Sequence, residues 1–168
     1  MQPEKIFAAL GAFGTALAQG GAPDAPWTAL QTLAQRIVGA RLFTVMAIDL
    51  DANVASRLYT NMPDVYPVSG TKPISVTPWF EQVVLDKKMF VMNTIAEISQ
   101  HFFDHELIAS LGCGSCVNLP VIVKGRALGT MNMLNSEGYF TPEQLDLVQH
   151  LQVPAMAAFL AAGEAATP

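Results

Sequence analysis

Cysteine is scarce in this chain: two in 168 residues, Cys113 and Cys116. A secreted scaffold held by disulfides uses more, so stability has to come from an apolar core. Charge is scarce too, at 14% of residues, and the net charge is −5. The nine lysines and arginines are scattered and form no basic stripe, which argues against nucleic acid as a partner. Long apolar runs are missing as well. None approaches the roughly eighteen residues that a membrane span needs. What is abundant is apolar surface: 51% hydrophobic residues and a mean hydropathy of +0.33. That composition excludes a disordered chain and suits one ordinary domain with two buried faces, or with an apolar surface shared with a partner subunit.

Ile6 to Ala18 is apolar and ends in Ala16-Leu17-Ala18, a small-residue pattern of the kind found at leader cleavage sites. Its flank, Gln2-Pro3-Glu4-Lys5, lacks the net positive charge of a secretory leader. The expectation is an alanine-rich amphipathic helix and a cytoplasmic protein.

The most informative stretch is Cys116 to Asn135, which reads as two buried strands joined by a tight Lys124-Gly125 turn. Cys116, Asn118, Thr130 and Asn132 interrupt its apolar pattern. Period-two alternation puts Cys116 and Asn118 on one face of their strand, and Thr130 and Asn132 on one face of theirs. In a favourable register the four meet on one side of the sheet. A buried amide without a partner costs about 1–3 kcal/mol. Another side chain, ordered water or a bound small molecule must satisfy them.

Helices are expected at Pro3 to Gln19 and from Asp24 to Gly39, followed by strands at Arg41 to Leu50 and Val54 to Thr60. Asn61 to Thr77 holds three prolines and reads as a long irregular excursion, a common form for a functional lid. Pro78 opens a helix, Phe90 to Met92 forms a short strand, and Ile95 to Gln100 is a connection. Asp104 caps a short helix that Gly112 closes. Thr141-Pro142-Glu143 opens the last helix, expected to run to about Ala162 with a kink at Pro154. Helices at both ends of a strand-rich middle predict an α+β fold. Its antiparallel sheet would carry the terminal helices on one face. A roof of loop and short helix would cover a pocket on the other. The expected division is a helix and linker over 1–24, a domain over 25–162 and a flexible tail over 163–168.

From about Trp27 to Ala162 the chain resembles the GAF domain, a small-molecule-sensing fold related to PAS. The resemblance rests on Leu119-Pro120-Val121, on Leu128-Gly129-Thr130-Met131 and on Phe140-Thr141-Pro142-Glu143-Gln144-Leu145. The run from Phe103-Asp104 through Gly112 to Ser115 adds to it. Members bind cyclic nucleotides, bilins, haem, amino acids or aromatic compounds, so the resemblance implies a ligand-binding sensor without naming the ligand. Bilin-binding members carry a cysteine near an Asp-Ile-Pro motif, which is absent here. Free methionine-R-sulfoxide reductases place acids where this chain has Cys116, Asn132 and Leu134. The same alignment puts Cys116 and Asn132 on the ligand-facing side.

The expected ligand site is therefore Met46, Trp79, Phe80, Phe90, Phe102, Phe103, Cys116, Asn118, Thr130 and Asn132. An apolar wall with an amide floor suits a small aromatic or heterocyclic molecule. Two other readings stay open. Cys116 could serve as a thiol nucleophile assisted by His105. His101, His105, Cys113 and Cys116 could hold a metal or haem iron. Neither reading fixes a catalytic residue, and no cofactor is assigned. Arg57, Lys72 and Arg126 read as solvated surface, and Asp49 as a turn cap. Expected partners are the small-molecule ligand, a second copy of the chain paired through the terminal helices, and a protein that receives the output.

Overall fold

The computed structural model describes residues 2–68 and 70–165. Two helices open the chain, α1 (Pro3–Gln19) and α2 (Ala25–Ile37). The strands β1 (Leu42–Asp49) and β2 (Val54–Thr60) follow, then a third short strand, β3 (Thr71–Pro73). A helical segment, α3 (Pro78–Phe80), widens into a π-helical turn over Glu81–Leu85 before β4 (Phe90–Met92). Two short helices come next, α4 (Ile95–Ser99) and α5 (His105–Ser110). The long hairpin is β5 (Ser115–Val123) with β6 (Arg126–Asn135), and α6 (Pro142–Gln149) and α7 (Gln152–Ala165) end the fold.

The strands form one six-stranded sheet in the order β3-β2-β1-β6-β5-β4, with every pairing antiparallel. The hairpin turn takes positive φ at both Lys124 (49°) and Gly125 (76°), the geometry that follows the twist of the flanking strands. Alternation then sorts the side chains into two cores. Phe43, Val45, Val117, Leu119, Val121, Met131 and Met133 pack under α1, α2, α6 and α7. Leu42, Ile48, Cys116 and Leu134 meet Tyr66, Phe80, Val83, Ile98 and Ile108 from the middle of the chain. The expected α+β fold, terminal helices over one face and a roof over the other, is the fold observed.

Three local readings are corrected. The connection at Ile95 to Gln100 is helical, because Thr94 and Glu97 form a reciprocal capping box: the Thr94 hydroxyl accepts from Glu97 N at 3.2 Å, and Glu97 Oε2 accepts from Thr94 N at 3.0 Å. The excursion 61–77 is not wholly irregular, since Thr71–Pro73 pairs with the free edge of β2 at Ser56, Ala55 and Val54. Proline is tolerated on such an edge strand. The last helix breaks at His150–Leu151 rather than kinking at Pro154, and α6 and α7 diverge by 42°. Pro154 lies in the first turn of α7, where its ring bars the continuous helix that would place the His150 carbonyl against it.

Helix α7 runs through Ala165, so part of the expected tail is helical, and 166–168 lie outside the described residues. Among the described residues no single helix is long and apolar enough to cross a membrane. Helix α1 buries Ile6, Ala9 and Phe13 in the helical core but leaves Phe7 exposed.

Gly129 marks the closest approach of helix to sheet. A Cβ there would overlap the Met46 carbonyl oxygen of the adjacent strand and sit 2.7 Å from the Phe159 ring. Gly129→Ala is expected to destabilise the fold by about 2–3 kcal/mol in urea unfolding, the upper part of the range for overpacking. Gly11→Ala, at a helix position with nothing within 4 Å, should stabilise by about 0.5–1 kcal/mol. An equal effect of the two substitutions contradicts this packing.

Candidate functional site

The register brings the expected polar residues together. Asn118 of β5 lies directly opposite Asn132 of β6, which lies opposite Thr44 of β1. Cys116 and Thr130 flank this row on the same face. The amides satisfy one another. Asn118 Nδ2 donates to Asn132 Oδ1 at 2.7 Å, and Asn132 Nδ2 donates to Thr44 Oγ1 at 3.0 Å. From the roof, Trp79 Nε1 donates to Asn118 Oδ1 at 3.0 Å. The result is a directed chain, Trp79 to Asn118 to Asn132 to Thr44, crossing the middle of the sheet. No ligand is needed to relieve it, and the requirement raised by the sequence is met by the chain's own side chains.

The space beside this chain stays open. A cavity of about 340 Å³ lies between the sheet and the roof. Thr44, Met46 and Ile48 of β1, Ala55 and Arg57 of β2, and Cys116, Asn118, Asn132 and Leu134 form its floor. Tyr66, Ile74, Trp79, Phe80, Phe102 and Phe103 close it from above, and Lys72, His101 and Asp104 stand along its margin. The Thr44 hydroxyl, on the cavity lining, accepts from Asn132 and donates to no described residue.

The roof is tied down at one point. Tyr66 O–H donates to Asp104 Oδ2 at 2.6 Å, joining the excursion to the start of α5. Asp104 occupies the cap position of that helix, but its side chain makes no capping hydrogen bond. Burial, and then the bond to Asp104, push the Tyr66 phenol well above its ordinary range. Arg57 stacks its guanidinium 4.0 Å from the centre of the Tyr66 ring and donates from Nη1 to the Pro67 carbonyl at 2.6 Å.

The GAF-domain family model matches residues 27–159. The chain belongs to the GAF family. No curated protein matches it in sequence. The GAF domain of an Acinetobacter phosphoenolpyruvate-protein phosphotransferase is similar, with a TM-score of 0.72 at 10% identity over 100% of both chains. The phycoerythrobilin-bound GAF domain of a cyanobacterial phytochrome gives 0.70 at 12% identity, covering 97% of this chain and 98% of that one. The GAF domain of a Bacillus halodurans sensor histidine kinase gives 0.68 at 9% identity, covering 84% and 96%. At these identities the likeness is one of fold.

Within this GAF domain the expected site residues separate. Met46, Trp79, Phe80, Phe102, Phe103, Cys116, Asn118 and Asn132 line the cavity. Phe90 does not; it is buried, with its ring edge to face with His101 at 4.8 Å between centroids. Thr130 does not either. It is fully buried between Pro120 and Met46 in the register, with no hydrogen-bond partner for its hydroxyl. Pro120 has no N–H to offer it. Arg57, expected on the solvated surface, is half-buried on the cavity lining, while Lys72 is exposed as expected and borders the cavity as well. Period two puts Arg57 on one strand face with Ala55, but nothing in the sequence marks that face as the cavity's. Arg126, by contrast, is exposed and paired with Asp51, and Asp49 caps its turn by accepting from Asp51 N and Ala52 N.

The four candidate metal ligands are not gathered into one cluster. Among the described residues no three His, Cys, Asp or Glu side chains come together in a way that could hold an ion. His101 borders the cavity, while His105 is not among its lining residues and holds its Nδ1 3.1 Å from the Phe102 carbonyl oxygen. The nucleophile reading meets an obstacle as well. Burial pushes the Cys116 thiol far up, against a smaller lowering from Asn118, so the thiolate is suppressed at neutral pH. Cys113 is raised by burial too.

These raised values have a fixed consequence for stability. As pH rises past about 8.5 the unfolded chain loses thiol protons that folded Cys116 keeps, and past about 10 the same holds for Tyr66. The stabilisation is whole below those values and is lost as pH climbs toward the folded ones. Urea unfolding should show stability declining from about pH 8.5 upward, with a shallower decline in Cys116→Ala. Both thiols should also resist alkylation in the native protein at neutral pH; rapid native labelling of Cys116 contradicts the account.

Proposed function

We propose that this GAF domain binds a small aromatic or heterocyclic molecule reversibly between its sheet and roof, and that occupancy is its signal. The observation that carries this reading is the open cavity next to a polar row that is already satisfied. A merely structural core would fill such a space, because native interiors are close-packed and voids cost stability. Its volume falls at the small end of the range for ligand pockets, and its lining is apolar with a few converging polar groups, as such pockets are. A similar fold holds phycoerythrobilin in a cyanobacterial phytochrome, which supports the view that this architecture leaves room for an organic guest.

Signalling requires that the guest favour one of two states. The roof supplies a candidate element, since Trp79 reaches the amide row and Tyr66 reaches α5 by single hydrogen bonds. A guest competing for Asn118 or Asp104 shifts the roof, and the same sheet carries the terminal helices on its other face. Exposed Phe7 on α1 and exposed Val153 and Leu160 on α7 would then serve pairing with a second copy or with a protein that receives the signal. A cytoplasmic setting belongs to the same proposal.

The test is native mass spectrometry of fresh protein, followed by thermal-shift screening with aromatic acids, amides and nucleotides. A guest at 100 times its Kd should raise Tm by about 5–10 °C. Ala55→Phe, which fills the cavity from β2 without touching the amide row, should fold and lose that response. A screen without any shift, or a shift that survives Ala55→Phe, overturns the proposal.

A further inference from the structure

The cavity is chemically lopsided. Its amide end is neutral, whereas its β2–β3 end carries two cations. Arg57 faces the cavity from β2, and Lys72 does so from β3, where it pairs with Ala55. Ala55 and Arg57 share one strand face, so the two cations are diagonal neighbours. Neither of them forms an ion pair among the described residues. Among the described residues the ion pairs are Lys88–Asp86 and Arg126–Asp51, both away from this site. One carboxylate, Asp104, also lies on the lining, where it accepts from the Tyr66 hydroxyl, so two cations face a single acid. A local excess of positive charge therefore faces a cavity in a chain whose net charge is −5.

The hydrogen bonding of Arg57 is incomplete in a specific way. One face of the guanidinium stacks on Tyr66, and Nη1 binds Pro67. Among the described residues, buried Nε has no acceptor and the one hydrogen bond of the guanidinium is that from Nη1. If Arg57 were only a clamp for the excursion, Nη1 and the ring contact would suffice, and a buried charged donor would remain unpaired at a cost of about 1–3 kcal/mol or more. Stacking fixes the plane of the fork while leaving its edge available, which is the arrangement that receives a carboxylate through two parallel bonds. Lys72 is held over the Phe103 ring at 4.2 Å, a contact a ligand anion can replace with a stronger one. Phe103 is 81% exposed, so this contact lies at the edge of the roof rather than deep inside.

We infer that the guest is an organic acid whose carboxylate is bound by Arg57, with Lys72 as a second positive charge, while its ring lies against Met46, Ile48 and Phe80. This inference rests on the reading of the cavity as a ligand site. The amide row then reads the far end of the ring, where the Thr44 hydroxyl donates to any acceptor the acid carries. Arg57 supplies direction and Lys72 supplies charge. The two residues determine ligand class, not the existence of the site.

Matched acids and amides of the same shape test it: benzoate with benzamide, phenylacetate with phenylacetamide, and indole-3-acetate with indole-3-acetamide. Calorimetry at low salt should show at least one acid binding about tenfold or more tighter than its amide. That preference should shrink in about 0.5 M NaCl. Arg57→Gln should bring acid and amide to within about twofold of each other with the amide unchanged, and Lys72→Gln should weaken the acid a few-fold. Should Arg57→Gln fail to fold because Pro67 is released, Arg57→Lys keeps the charge, removes the fork and should still lower the ratio. Amides that bind as well as their acids, or an acid preference that survives both Arg57 variants, overturn the inference and leave the cavity reading standing. Failure of every probe to bind overturns it for one- and two-ring acids, and the broader screen with Ala55→Phe then decides the cavity reading separately.

Discussion

A pair of asparagines facing each other across the centre of a sheet is an expensive arrangement unless each amide is answered. Here Asn118 and Asn132 answer each other, and Trp79 and Thr44 complete the chain at its two ends. The bond from Trp79 matters most, because Trp79 belongs to the roof and Asn118 to the sheet. It holds the two layers in fixed relation at one edge of the cavity. The bond from Tyr66 to Asp104 ties the roof to itself across the cavity's margin. Between these two points little else needs to fill the space, and the cavity persists.

This arrangement explains why the two faces of the sheet differ so sharply. Under the helices, strand residues such as Val117, Leu119, Met131 and Met133 pack into a dense core with α2 and α7, to the point that position 129 accepts no side chain. On the roof side the same strands present thiol, amide and hydroxyl groups to a thinner layer of short helices and loop. Rigidity on one face lets the other be adaptable. Under the proposed function, a guest that moves the roof would act against a sheet whose other face is closely packed against the helices.

Much of the fold was legible because its signals are local. The Lys124-Gly125 turn, the Thr141-Pro142 helix start and the period-two runs of β1, β2, β5 and β6 each specify their own geometry. The polar face of the hairpin was legible in part: alternation pairs Cys116 with Asn118 and Thr130 with Asn132, and the register set by the turn brings the two strands' polar residues to one side. What the residues could not tell is who their partners are. Trp79 is 39 positions from Asn118, and Tyr66 is 38 from Asp104, so those bonds exist only once the roof has closed. Arg57 looked like surface because a lone arginine on a strand usually is, and the short strand that flanks it is too brief for any pattern to declare. Thr130 and Phe90 lie on the expected face but off the cavity lining: Thr130 is fully buried opposite Met46 and Pro120, and Phe90 meets the His101 ring edge to face.

The most direct test of the central bond is a double-mutant cycle on folding stability with Trp79→Phe, Asn118→Leu and the two combined. The account predicts that each single substitution destabilises the free protein by about 1–3 kcal/mol, since each leaves a buried polar partner unpaired. It also predicts a coupling free energy between them of about 1 kcal/mol. Strictly additive effects, with Asn118→Leu neutral or stabilising, would mean that roof and sheet are not joined there and that the amide row is not held by the chain itself.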